Sequence, residues 1–113
     1  MRTAAVRKIA LSLPEAEERE TWGEATFRVR NKIFMMMDSR AKQAAVKTSR
    51  DEQAALLEMD RDTFFFPPYV GPHGWTGVQI PQVEPGEMRD LITEAWRMTA
   101  PKRLVKAYDE DAT

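Results

Sequence analysis

Hydrophobic and polar positions follow a helical period at the start of the chain. Apolar residues recur every three to four positions over residues 2–11, which predicts a helix with one apolar face. Pro14 ends this helix because it forces Leu13 out of helical geometry. The next segment, PEAEERETWGE, has no apolar period and is predicted to be an acidic loop, with Trp22 as an anchor before Gly23.

From Thr26 the period changes to two, as in strands. In TFRVRNKIFMMMD, Phe27 and Val29 alternate with arginines, and the following IFMMM is apolar on both faces, which is typical of a central strand. Asn31 indicates a turn between the two strands. The pattern allows a turn centred on 30–31 or on 31–32, and a slip of one residue exchanges the two faces. SRAKQ is predicted to be a second turn and AAVKT a third strand.

The middle of the chain predicts a second helix followed by a hairpin. Ser49 and Glu52 have the spacing of a capping box and open the helix RDEQAALLEMD. Its predicted inward residues are Ala55, Leu56 and Met59. TFFF and WTGVQI are predicted to be the two strands that follow.

The last helix is predicted over VEPGEMRDLITEAWRMTA, with Pro85 in its first turn and either Glu84 or Val83 before it. Pro101 closes it, and the tail is expected to be frayed from about residue 107. The predicted apolar stripe consists of Met88, Leu91, Ile92, Ala95, Trp96 and Thr99.

This order of elements predicts a single α+β domain over residues 1–113, in which helices pack on one face of an antiparallel sheet. The length of 113 residues and the hydrophobic fraction of 42% are typical of one folded domain with one core. The chain has no cysteine, so disulfides, zinc ribbons and thiol nucleophiles are excluded. No segment is apolar enough for a signal peptide or a membrane span, so we expect a soluble, cytoplasmic protein that does not bind membranes.

Charge changes this picture, because its distribution is uneven. The formal net charge is −1, yet residues 26–50 contain seven basic residues and one acidic residue, Asp38. Such segregation favours a cationic surface that contacts phosphates. The alternative is the solvated side of a half-exposed sheet, with basic stems covering apolar surface. The candidate phosphate contacts are Arg28, Arg30, Lys32, Arg40, Lys42 and Lys47.

The segment FFFPPYVGPHGW, residues 64–75, is the second candidate site. Its three prolines and two glycines predict a stiff, sharply shaped loop. Tyr69, His73 and Trp75 could stack on bases or on a ring-shaped ligand. The alternative is structural: Phe64, Phe66 and Trp75 fill the core while the prolines shape the hairpin.

Catalytic chemistry is not indicated by any motif. His73 is the only histidine, and no GxSxG, P-loop, GxGxxG or HExxH pattern occurs. The acidic run from Glu15 to Glu24 could bind hard cations weakly, but such runs are more often solvated loops. We therefore predict no catalytic residue, no metal site and no cofactor.

Three segments together resemble the MmcQ/YjbR family of small bacterial proteins: LSLPEAEERETWGEATFRVRNKIFMMM, PPYVGPHGW and LITEAWRMTAPKRL. The similarity extends from about Arg7 to Leu104. The resemblance implies a frataxin-like (CyaY-like) α+β fold and two β-hairpin wings, for which the family is described as predicted DNA-binding. The chain departs from the family at Ala95–Trp96, where many members have a serine ahead of an aromatic residue.

Charge and resemblance together predict a small, non-enzymatic DNA-binding protein, with Tyr69 and His73 on the second wing. The sequence does not decide the oligomeric state, and we expect a monomer. An alternative is a small-molecule or protein-interaction module, in which four aromatic side chains converge on one concavity: Trp22, Tyr69, His73 and Trp75. A third hypothesis, metal handling by the acidic segment, rests on the analogy to the frataxin fold alone.

Overall fold

The computed structural model describes residues 1–111. Within them a six-stranded antiparallel sheet has the strand order β1-β2-β3-β4-β6-β5. The strands are β1 (Ala16–Thr21), β2 (Glu24–Val29), β3 (Lys32–Asp38), β4 (Gln43–Val46), β5 (Phe64–Phe65) and β6 (Thr76–Gln79). The helices are α1 (Thr3–Leu11), α2 (Arg50–Met59), α3 (Pro85–Thr99) and α4 (Lys102–Asp111), with a 3-10 turn at Gly71–His73.

The predicted α+β class is confirmed, and α1 and α3 cover one face of the sheet. All six residues of the predicted α3 stripe are buried, and the indole N–H of Trp96 donates to the Pro14 carbonyl at 3.0 Å. This bond ties the last long helix to the end of α1. Within the described residues, no helix has both the length and the apolarity that a membrane crossing requires.

The β2–β3 turn is centred on Arg30 and Asn31, which settles the register that the sequence left open. Both residues have positive φ, 51° and 68°, as a type I′ hairpin turn requires. The pairing shifts by one residue in the middle of the hairpin: Phe27 lies opposite Met35, but the next residue of β2 lies opposite Ile33. Phe34 is the extra residue of this bulge, and both it and Met35 are buried.

The predicted acidic loop is wrong, because residues 16–21 form the edge strand β1. Its residues pair with β2 through the backbone, with Glu17 directly opposite Arg28. An edge strand of polar residues has no apolar period to reveal it in the sequence. Trp22 is not an anchor: it lies at the tip of the β1–β2 turn with a φ of 55° and is 98% exposed.

The capping box of α2 is confirmed, because the Ser49 hydroxyl accepts the Glu52 N–H at 3.1 Å. The predicted inward face is only partly correct. Leu56 is buried, but Ala55 and Met59 are exposed. Gln53 is buried instead, and its amide donates to the carbonyls of Gly71 at 2.9 Å and Trp75 at 2.5 Å. A polar side chain thus fastens the loop 66–75 to α2.

The tail predicted to be frayed has helical geometry as far as residue 111, and residues 112–113 lie outside the described part of the chain. The segment after Pro101 forms α4, and the Tyr108 ring packs against buried Trp96 with ring centroids 5.1 Å apart. Arg97 donates to the Asp109 carboxylate at 3.0 Å.

The N-cap of α3 is Glu84, one of the two residues that the sequence allowed. Its carboxylate accepts two backbone N–H groups at 3.0 and 2.8 Å.

Candidate functional site

The face of the sheet opposite α1 and α3, called here the open face, carries four of the candidate residues: Arg28, Lys47, Tyr69 and Trp75. Strand pairing arranges its side chains in three rows across the strands. The basic row contains Glu17, Arg28 and Ile33, which the register places side by side. Lys47 and Trp75 continue this row, because each adjoins a buried residue of the Val46–Thr76 pair and therefore points to the opposite face.

The other two rows follow from the same pairing. The middle row crosses all six strands and consists of Arg19, Thr26, Met36, Ala45, Gly77 and Phe65. The acidic row lies at the other end of the open face and consists of Thr21, Glu24, Asp38, Gln43 and Gln79. The open face therefore has a cationic end, a largely apolar middle and an acidic end.

Two guanidinium groups meet beside the basic row. Arg19 donates to the Asn31 side-chain oxygen at 2.9 Å, and Arg28 donates to the same oxygen at 3.5 Å. Arg28 also donates to the hydroxyls of Thr26 at 3.2 Å and Thr21 at 3.3 Å. The Glu17 carboxylate accepts from Arg19 at 3.3 Å. Arg28 is thus held in place by neutral partners and keeps its charge available.

Arg30 does not share this property, because Glu15 neutralises it. Its Nε and Nη2 donate to the two carboxylate oxygens of Glu15 at 2.5 and 3.0 Å, a bidentate pair. The hydrogen bond from Arg30 lowers the pKa of Glu15 below its usual value, and the same contact raises the pKa of Arg30. The pair therefore stays ionised at neutral pH.

The remaining predicted cations fall at opposite ends of the sheet. Lys32 and Lys47 lie toward the basic row, whereas Arg40 and Lys42 lie on the β3–β4 turn beyond the acidic row. The seven residues of β3 separate these ends by about 20 Å. None of the four forms an ion pair with a carboxylate of residues 1–111. The six predicted phosphate contacts therefore do not form one continuous stripe.

The four aromatic residues of the predicted pocket are not brought together. Tyr69 lines a concavity of about 360 Å³ on the open face, and Trp22 lines a different one at the tip of the β1–β2 turn. His73 and Trp75 line neither of the two. His73 is exposed in the 3-10 turn, whose Pro72 carbonyl accepts from Arg50 at 3.1 Å.

The loop 66–75 packs against the open face because two glycines leave room for two phenylalanine rings. A Cβ on Gly77 would lie 2.4 Å from the Phe65 ring, and a Cβ on Gly71 would lie 2.5 Å from the Phe66 ring. Phe64 is buried as predicted, but Phe66 is not a core residue, since it is 55% exposed. β5 and β6 form only a two-residue hairpin, and the loop between them walls the open face.

The sequence reading missed Arg19 and Asn31, because both were assigned to loop or turn positions without a role. The alternation of Glu17, Arg19 and Thr21 is the only signal that these side chains share a face. Among residues 1–111, no three His, Cys, Asp or Glu side chains are grouped so that they could hold a metal ion. The chemistry that the open face offers is charge, hydrogen bonding and apolar contact.

Comparison with known proteins identifies both a family and a fold. A family model described as YjbR matches residues 11–98. Uncharacterised proteins of Mycobacterium bovis (Mb2600) and Mycobacterium tuberculosis (Rv2570) are each 35% identical to this chain over 54 residues. The match spans 48% of this chain and 42% of the length of each relative.

A solved structure shares the fold. The crystal structure of Deinococcus radiodurans DR2400, described as a DUF419 domain, superposes with a TM-score of 0.77 at 12% identity. The superposition covers 84% of this chain and 75% of that protein. The YjbR-like α+β fold implied by the sequence resemblance is thereby confirmed.

Proposed function

Since the chain belongs to the YjbR family, we propose that it is a non-enzymatic DNA-binding protein that holds a single strand along the basic row. The observation that carries the proposal is the pair of guanidinium groups of Arg19 and Arg28 on one amide oxygen, and within residues 1–111 the one carboxylate bonded to either group is Glu17, on Arg19. Lys47 adds one further cation on the open face, whereas Lys32 lies at the same end of the sheet but is paired with buried Val29 and therefore points to the opposite face. A polyanion is the partner that such a cluster favours.

The dimensions of the basic row suit a short stretch of single strand. From β1 to β6 the row crosses four strand spacings, or about 19 Å. Arg28, Lys47 and Trp75 are each half-buried, so their stems are fixed while their polar or aromatic ends face solvent. Stacking of a base on Trp75, and on Tyr69 or His73 of the adjoining loop, would add affinity without sequence preference.

The acidic row argues for one strand rather than a duplex. The Cα atoms of Arg28 and Glu24 lie four residues apart on β2, which corresponds to about 13 Å, although the Arg28 guanidinium reaches back along the face to Thr21, the residue opposite Glu24. Phosphates across a major groove of about 12 Å would therefore fall over Glu24 and Asp38. Like charges would oppose the second strand, whereas a single strand along the basic row avoids them.

The test is fluorescence anisotropy with a labelled 12-nucleotide single strand and the matched duplex, at several salt concentrations. Neutralisation of about three phosphates predicts a log–log slope near −2 for the single strand. The double variant Arg28→Gln/Lys47→Gln should weaken binding about tenfold and make the slope shallower by about 1.4. The control Arg40→Gln/Lys42→Gln removes the same charge at the other end and should change affinity less than about twofold.

Three results would contradict the proposal: no binding at low salt, a salt-independent affinity, or equal losses in the two double variants. Circular dichroism melting of both variants shows whether the fold survives, since Arg28 also makes hydrogen bonds within the sheet. Tighter binding of the duplex than of the single strand would retain DNA as the partner but overturn the placement.

A further inference from the structure

We propose a second binding site at the acidic end of the open face, for a small organic amine with an apolar ring or chain. The site is the concavity of about 360 Å³ beside Tyr69, called here the amine site. This volume lies within the range of small-ligand pockets. The inference does not depend on DNA binding, because it uses other residues and the opposite charge.

The walls of the amine site are mostly apolar. Side chains of β3, β4, β5 and the loop 66–75 line it: Met36, Ala45, Phe65, Pro67, Tyr69 and Val70. The Phe65 ring lies over Gly77, where any larger residue would displace it. Pro67 is buried, so the wall on this side is part of the packed structure. A ligand therefore needs an apolar body that replaces water along these walls.

The polar groups at the end of the amine site are hydrogen-bond acceptors. The Glu24 side chain is exposed, and its carboxylate forms no hydrogen bond or ion pair with residues 1–111. One carboxylate oxygen of Asp38 accepts the N–H groups of Arg40 and Ala41 at 3.0 and 3.1 Å, which leaves its other oxygen available. Gln43 donates to Gln79 at 3.3 Å and keeps its own carbonyl oxygen for a ligand.

Charge complementarity identifies the ligand class. Two carboxylates line the amine site, and no lysine or arginine of the described chain does. Tyr69 stands at its rim, 92% exposed, and can present the face of its ring to a cation. A protonated amine satisfies the acceptors and the ring together, while a carboxylate or phosphate would meet two like charges. The two carboxylates also exclude from the amine site the polyanion that is proposed to bind the basic row.

The test is an NMR titration of the full chain with three probes of similar shape: 2-phenylethylamine, 2-phenylethanol and 3-phenylpropanoate. The amine should shift the backbone amides of Met36, Ala45, Phe65 and Val70. It should bind at least about fivefold more tightly than the alcohol, which is the preference expected of an exposed charge pair. The propanoate should bind more weakly than the alcohol.

Glu24→Gln should lower the affinity for the amine at least about twofold toward that for the alcohol, because only Asp38 then remains to pair with the ammonium group. Glu20→Gln is the matched control, because Glu20 is an exposed carboxylate of the neighbouring strand that does not line the amine site. Its amine affinity should stay at the wild-type value. Equal affinity for amine and alcohol, equal effects of the two variants, or no shift at about 10 mM amine would each overturn the proposal.

Discussion

The two ends of the open face differ in charge although one short segment supplies residues to both. Residues 26–50 are strongly basic as a whole, and they place Arg28 at one end and Asp38 at the other. Neighbouring strands complete each end, since β1 brings Arg19 and the β1–β2 hairpin brings Glu24. The register of the paired strands therefore decides where charge lies on the surface, and a charge count along the chain does not locate it.

The largest effect on stability should come from a steric clash in the middle row, which lies between the basic row and the acidic row. Gly77→Ala would bring a Cβ to within 2.4 Å of the Phe65 ring, which must then leave its place. Overpacking of this kind costs about 2 kcal/mol, which corresponds to a fall in Tm of about 8 °C. Thermal and urea unfolding measure the loss, and the amine site should disappear with it.

A second substitution separates this clash from a general effect of the side chain at position 77. In Phe65→Leu the ring is absent, so adding Gly77→Ala should cost much less than it does in the wild-type background. If the two losses simply add, the contact between Phe65 and Gly77 is not the cause.

A charge reversal at Glu24 puts a cation in the acidic row and tests whether the two ends of the open face bind different ligands. Glu24→Lys places a cation among the acceptors of the amine site, so affinity for 2-phenylethylamine should fall at least about fivefold. Affinity for single-stranded DNA should change less than about twofold, as in the control Arg40→Gln/Lys42→Gln, because the strand lies along the basic row at the other end. NMR titration and anisotropy measure the two changes. Glu20→Lys adds the same charge outside the amine site and should leave amine binding unchanged.

A smaller effect should follow from removing the one carboxylate of the basic row. Glu17→Gln deletes the exposed partner of Arg19 and the charge opposite Arg28. Single-stranded DNA should then bind about twofold more tightly, since exposed ion pairs are weak. Weaker binding in this variant would mean that Glu17 orients the guanidinium groups and does not merely screen them.

The smallest expected effect concerns the pair of Glu15 and Arg30 near the basic end. The folded-state pKa of Glu15 lies below its ordinary value of 4.5 because Arg30 donates to it. The pair therefore adds stability above that value, and the contribution is lost as the pH falls through the lowered pKa. Urea unfolding of the wild type and of Glu15→Gln should differ by a constant amount above about pH 5 and converge at lower pH. A difference that grows with acid would contradict this.

Much of the fold could be predicted because helical stripes and strand alternation are local signals. The stripe of α3 from Met88 to Thr99 and the capping box of Ser49 follow from spacing alone. β1 could not be predicted, because an edge strand is stabilised by pairing with a neighbour and needs no apolar residues. α4 was missed for a similar reason: its packing depends on the contact of Tyr108 with Trp96, which is a tertiary contact.

The candidate site was harder to predict than the fold. The basic composition of residues 26–50 was visible, but the separation of Lys32 from Arg40 depends on the length of β3. The pairing of Arg30 with Glu15 joins residues fifteen positions apart and has no sequence signal. The roles predicted for Tyr69, His73 and the basic residues stay predictions, since they concern partners rather than geometry.

The two outer strands also have features that oppose edge-to-edge association of the sheet. β1 presents charged side chains along its length, and β5 is only two residues long. Neither border offers a long, flat, apolar row of unpaired backbone groups, which is what edge-to-edge aggregation needs. The open face between these two edge strands can therefore stay accessible to ligands, while the edge strands themselves do not favour pairing with a second copy of the chain.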